Sequence, residues 1–161
     1  MAYEFYVTVK GQKQGDFKNE TPREKHKGKI PGISFYYQVS SPRDAASGQA
    51  SGKRTHHPVT FVKEWGASSP QFFQALTTNE VLSTVLFEFV KTDKNGEEYV
   101  YYTIKLVNAT VSNYKQFLTP PAVSTSHNVA ELEEISFTFQ RIEVESKDGK
   151  TMAVDDWFQK G

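Results

Sequence analysis

His57-Pro58-Val59-Thr60-Phe61-Val62-Lys63-Glu64-Trp65, followed at once by Gly66-Ala67-Ser68-Ser69-Pro70-Gln71-Phe72-Phe73-Gln74-Ala75-Leu76, is the stretch whose reading decides the fold class. Its first part alternates at period two, which sets Val59, Phe61 and Trp65 on one face of a strand. Its second part changes period. Ser69 reads as a helix N-cap and Pro70 as the first helical residue, where the missing N–H of proline costs nothing. A helix from about Pro70 to Thr78 follows, with Phe72, Phe73 and Leu76 on the side that packs it against the strands.

Outward from this pair, strands dominate. Tyr3 to Val9 alternates as a strand with one wet face, and Lys10 to Lys27, polar and broken by Gly11, Gly15 and Pro22, reads as a loop. In the strand from Ile30 to Val39, Ile33, Phe35, Tyr37 and Val39 take the buried face. Ser34, Tyr36 and Gln38 take the other, which is wet or meets a partner. Ser40 to Thr55 has no large apolar residue and contains Pro42, Gly48 and Gly52. It cannot recover its ordering entropy by burial and is expected to protrude. Ser83 to Lys91 and Glu98 to Val111 flank Asn95-Gly96, a type I′ hairpin signal, and Glu131 to Glu145 and Lys150 to Val154 flank Asp148-Gly149. Leu118 to Asn128, with Pro120-Pro121, is a second long excursion.

The bulk numbers narrow the function. A chain of 161 residues is expected to form one domain, residues 1–161, around one core. Nineteen basic and nineteen acidic residues cancel, so no net field steers the chain to nucleic acid or an anionic membrane, and protein partners are expected. Phe, Tyr and Trp make up 14% of the chain, which suits half-buried pleated surfaces and a mainly β fold. Without cysteine there are no disulfides and no thiolate metal sites. The start of the chain lacks the basic and unbroken apolar segments of a signal peptide, and no run reaches the ~20 apolar residues of a membrane span. The expectation is a soluble protein made in the cytoplasm.

Catalytic, cofactor and metal constellations are not found. His56 and His57, adjacent on a strand, point to opposite faces and cannot chelate together; they read as one packed and one solvated histidine. Glu131 and Glu133 share a face opposite Glu134, and a wet strand face is the expectation for them rather than paired acids. Arg23, Lys25, Lys27 and Lys29 are diluted by Asp16, Glu20 and Glu24 and read as a solvated loop. There is no phosphate-cradling glycine loop and no nucleophile elbow.

The ordered set Lys27-Gly28-Lys29-Ile30, Ile33-Ser34-Phe35, Gly52-Lys53, Pro58 to Lys63 and Ala67-Ser68-Ser69-Pro70 with Phe73 and Ala75-Leu76 runs on through the second half of the chain. There it continues as Gly96, Tyr101, Ile104-Lys105-Leu106, Asn108-Ala109-Thr110-Val111-Ser112, Glu134-Ile135-Ser136-Phe137, Arg141-Ile142 and Asp156-Trp157. In order and spacing this resembles the Hcp family (hemolysin-coregulated protein), the tube proteins of bacterial type VI secretion, related in fold to phage tail-tube proteins. Gln38 stands where that family usually has glycine, and Lys10 to Lys27 and the Pro120-Pro121 loop are longer than usual.

The resemblance implies a compact β-barrel of two antiparallel sheets with one short flanking α-helix, forming homo-hexameric rings that stack into a tube. It also implies a surrounding contractile sheath, a spike at the tip, small effector proteins carried in the lumen, and no enzyme activity, cofactor, nucleic acid or membrane insertion. The route implied runs from the bacterial cytoplasm out through the type VI system without a cleaved signal peptide. On this reading Ser34, Tyr36 and Gln38 line the lumen, and the loop holding Ala45, Ser47, Gly48, Gln49 and Gly52 reaches the next ring. The alternative is a tail-tube protein of a phage or phage-like contractile particle.

Overall fold

The computed structural model describes residues 4–18, 20, 26–118 and 131–157. Among the described residues eleven strands and one helix follow in chain order. The first half holds β1 (Glu4–Gly11), β2 (Gly15–Asp16), β3 (Ile30–Gly32), β4 (Ser34–Tyr36), β5 (Val39–Ser40), β6 (Thr55–His56), β7 (Val59–Glu64) and α1 (Ser69–Thr77). The second holds β8 (Leu82–Thr92), β9 (Glu98–Leu118), β10 (Glu131–Ser146) and β11 (Thr151–Asp156).

Two antiparallel sheets result, one of nine strands in the order β2-β1-β8-β9-β10-β7-β4 with β3 on β1 and β11 on β10, and one of two, β5-β6. The large sheet closes on itself through residues 30–36. Ile30 pairs with Val7 on β1, while Ser34 pairs with Val62 on β7, and the bend at Ile33 is held by its N–H donating to the Val62 carbonyl at 2.8 Å. Phe5, Phe35, Phe61, Phe87 and Phe137 fill the interior, Phe35 on Phe87 (5.0 Å) and Phe61 on Phe87 (5.6 Å) edge to face and Phe61 stacked on Phe137.

Alternation placed most core faces, with two corrections on the 30–39 segment. Phe35 and Tyr37 pack against the core, but Ile33 is 49% exposed because it sits in the bend, and Val39 is 48% exposed because it has left the large sheet for β5. Trp65 likewise lies beyond the end of β7 and is exposed, its indole N–H donating to the Leu132 carbonyl at 2.7 Å. The residue that continues the buried face of Val59 and Phe61 is Lys63.

Helix α1 begins at Ser69, one residue earlier than expected, and Ser68 occupies the N-cap position. Its buried stripe is Phe72 and Ala75 with Leu76 partly covered, spaced i, i+3, i+4. Phe73 is 56% exposed, a correction to the expected packing face: adjacent helical positions diverge by about 100°, so Phe73 keeps only an edge contact with Tyr114, at 6.2 Å between ring centroids. Phe72 faces the barrel, with Phe17 at 4.9 Å and Phe61 at 6.0 Å between ring centroids.

A buried charge cluster fixes the start of this helix. Lys63 and Glu133 are paired residues on β7 and β10, both fully buried, and the Lys63 ammonium stands 3.5 Å from the Glu133 carboxylate and 3.2 Å from that of Glu20. Ser69 Oγ donates to Glu133, and Ser68 donates to Glu20 through its backbone N–H at 2.7 Å and its hydroxyl at 2.5 Å. Glu20 thereby sets a negative charge at the positive end of α1. Glu133, expected on a wet face, is instead inside, because it continues the core face of Ile135 and Phe137 to the point where α1 covers the sheet. Burial first, and then the Glu133 charge, push Tyr114 up to about 12.

Other expectations shift by single residues. In the β8–β9 turn the left-handed residue is Gly96 alone, since Asp93 Oδ1 accepts from the N–H groups of Asn95 and Glu97 and so favours a longer loop over a type I′ turn. In the β10–β11 turn it is Lys150, not Gly149. Part of the 10–27 loop is a hairpin, β1–β2, held by buried Glu80, which accepts from the N–H groups of Lys13 (3.0 Å) and Gln14 (2.9 Å). Most of the Leu118 to Asn128 excursion lies outside the described residues.

These contacts set two stability expectations. Phe72→Ala should lower the unfolding free energy by about 3–5 kcal/mol while Phe73→Ala changes it by less than about 1 kcal/mol, as read by urea denaturation; equal losses would contradict the helix orientation. Lys63→Met should cost about 3–5 kcal/mol by stranding Glu133 and Glu20, with part recovered in Lys63→Met/Glu133→Gln. An unchanged midpoint for Lys63→Met would show that the carboxylates do not depend on it.

Candidate functional site

The interior of the barrel is filled by side chains. Among the described residues no group of three or more His, Asp or Glu could hold a metal ion, and no helix is long and apolar enough to cross a membrane. Three features at the surface adjoin one another.

The first is the outer face of β4. Ser34 and Tyr36 pair with Val62 and Thr60 and turn away from the core, and Tyr36 donates its hydroxyl to Glu134 at 3.3 Å. Gln38 is exposed just beyond β4, where its carbonyl accepts the His57 N–H at 2.9 Å. The face is polar apart from the Tyr36 ring. That is the character of a surface that neither packs into a core nor forms an apolar patch.

The second is an arm. β5 and β6 pair at Val39–His56 and Ser40–Thr55, and the chain between them projects as a narrow finger. Ser51 N–H donates to the Pro42 carbonyl (2.9 Å), Asp44 N–H to Gln49 (2.8 Å), and Gly48 N–H to Asp44 (2.8 Å), with Arg43 and Ala50 bridged across it. Asp44 Oδ1 also accepts the Ala46 N–H at 2.8 Å, and Gly48 takes φ +73°, a conformation that suits glycine. Residues 42–53 are exposed throughout, so Ala45, Ser47, Gly48 and Gln49 form the tip while Gly52 lies beside Pro42. The arm holds its shape by backbone bonds, not by burial.

The third is the root of that arm. His56 is packed and His57 exposed. Asp155 Oδ2 accepts from Arg54 Nε and from His56 Nε2, each at 2.5 Å, and Arg54 Nη2 donates to the Asp156 carbonyl at 3.1 Å. Tyr37 OH meets His56 Nδ1 at 2.5 Å, and Phe139 and Trp157 close over the imidazole at 5.2 and 5.1 Å. The hydrogen bond from Arg54 leads in holding the Asp155 carboxyl below the usual carboxylate range, and burial pushes Tyr37 up to about 12 with Asp155 adding to it. Sequence reading brought neither Asp155 nor Arg54 to this place, because 101 residues separate them.

The fold and these features can be set beside known proteins. The sequence model of the family described as "Type VI secretion system effector, Hcp" matches residues 6–145. The "Major exported protein" of Pseudomonas aeruginosa is 30% identical over 166 residues, covering 98% of this chain and 96% of that protein. A crystal structure of an Hcp protein superposes with a TM-score of 0.91 at 26% identity, covering 99% of this chain and all (100%) of that one. Hcp1 of Escherichia coli EAEC 042, a variant carrying two tryptophan substitutions, gives 0.85 at 27% identity over 98% of this chain and 100% of that one. By sequence along nearly its whole length, the chain belongs to the Hcp family of type VI secretion proteins.

Proposed function

We propose that this chain is a structural subunit of the type VI inner tube, assembling as a homo-hexameric ring that stacks on copies of itself inside a contractile sheath, behind a spike. The observation that carries the reading is the unfinished outer edge of β11. This strand pairs with β10 and, among the described residues, with no other strand, and it exposes Met152 (57%) and Val154 (44%). An edge strand bearing large apolar side chains calls for a neighbour, and a closed ring of identical copies supplies one.

In such a ring the polar face of Ser34, Tyr36 and Gln38 serves as the lumen wall, where small effector proteins are held by weak contacts repeated around the circle. The arm bearing Ala45, Ser47, Gly48, Gln49 and Gly52 serves ring-to-ring contact: it offers polar and backbone groups and has no apolar face to fold back with. Export then follows the tube itself, in keeping with the name of the Pseudomonas aeruginosa relative.

Native mass measurement at micromolar concentration should give six times the 18.3 kDa chain mass, and a monomer alone would overturn the reading. Deleting Ala45 to Gly52 should leave rings intact and stop tube growth; normal tubes would place stacking elsewhere. Ser34→Glu or Gln38→Trp should spare the ring and weaken retention of a co-expressed effector, and unfolding by either change would contradict the exposed placement of this face.

A further inference from the structure

The arm is tied to a part of the chain that is remote in sequence. Its second strand is β6, Thr55–His56, and the side chains on either side of Thr55, Arg54 and His56, both reach Asp155 on β11. We propose that Asp155 is the positioning residue of the arm: through one carboxylate oxygen the C-terminal hairpin fixes the arm's root, so the β11 edge and the arm move as a coupled pair.

The chemistry of the contact gives it direction and strength. A carboxylate only accepts, so His56 Nε2 must carry a hydrogen toward Asp155. His56 Nδ1 then accepts from the Tyr37 hydroxyl when the ring is neutral, and donates to the hydroxyl oxygen when the ring is charged. In either form the Nε2 hydrogen stays directed at Asp155. Arg54 adds two bonds that span adjacent residues of β11, its Nε to the Asp155 side chain and its Nη2 to the Asp156 carbonyl, which sets the angle of the strand as well as its distance. Among the described residues, 42–53 are exposed and their backbone bonds run to one another. Where the root goes, the finger follows.

The coupling is a statement about the subunit alone. Its consequence for assembly rests on the arm reading above: the β11 edge, where a ring neighbour would pair, and the arm, where the next ring would dock, become two ends of one linkage. By reciprocity, whatever orders β11 orders the arm, and the converse holds with the same free energy.

Hydrogen exchange followed by mass spectrometry tests this on the full chain. Asp155→Asn keeps the shape and removes the charge; it should speed exchange of the Asp44, Gly48 and Ser51 amides by about tenfold or more, as expected for loss of charge-assisted hydrogen bonds, and leave β8 and β9 unchanged. Arg54→Gln, at a partly exposed position, should give the same acceleration in the arm and also loosen Ala153 and Val154 on β11. The double variant should fall short of the sum of the singles, because the Arg54–Asp155 bond is common to both while the His56–Asp155 and Arg54–Asp156 bonds are not. Arm exchange equal to the parent protein, or acceleration spread evenly over the barrel, would overturn the proposal, and so would additive effects in the double variant. A tube-growth assay on Arg54→Gln separates the two readings. Accelerated arm exchange with normal tubes keeps the coupling and removes the arm from stacking, whereas unchanged exchange removes the coupling whatever the tubes do.

Discussion

Between Ile30 and Tyr36 the chain changes partners at a single residue: before Ile33 it is hydrogen-bonded to β1, and after it to β7. That exchange turns an open nine-stranded sheet into a barrel, and the rest of the molecule depends on it. It needs a close approach at Gly32, where a Cβ would meet the Phe5 ring at 2.1 Å, so no larger residue could lie there without moving a core aromatic. It carries Phe35 into the same cluster as Phe5, Phe87 and Phe89. It also exposes Ile33, and it launches the chain outward into β5 and the arm.

The other end of the barrel is closed by different physics. Phe72 caps the aromatic core, and the last turn of the fit is ionic: Lys63 between Glu133 and Glu20, with the start of α1 against Glu20. Burying such a cluster costs more desolvation than an apolar plug would, and pairing offsets that cost only while all three members are present. What it provides is registry. Glu133 and Lys63 are direct cross-strand partners, so a slip of one residue between β7 and β10 would throw both charges out of the cluster.

Much of this architecture was legible in the sequence, and what was not has common causes. Period two gave the strands and the faces of Phe35, Phe61 and Ser34, because a half-buried strand writes its burial directly into alternation. It failed for Lys63 and Glu133, whose positions belong to the core face although their side chains do not look like core residues. Their mutual pairing is invisible until β7 and β10 are known to be neighbours. Phe72 and Phe73 show the limit of helix reading over nine residues, where two adjacent phenylalanines define two faces about 100° apart and only the barrel decides between them. The root of the arm was the least legible part. Arg54, His56, Asp155 and Tyr37 come from three separated segments, and no local pattern announces that one carboxylate will serve two of them.

The functional account joins these parts. Outside an interior filled with aromatic side chains the barrel presents a polar strand face, an apolar edge on β11 and an arm whose root is tied to that same edge. The chain belongs to the Hcp family, and under the proposed reading those surfaces share a purpose in a secretion tube. Electron cryomicroscopy of the assembled protein tests this most directly. The account predicts six-fold rings in which the β11 edge is covered by a neighbour, with Ser34, Tyr36 and Gln38 facing the open centre. A ring in which those three residues are buried between subunits, with the β11 edge left facing solvent, would contradict it.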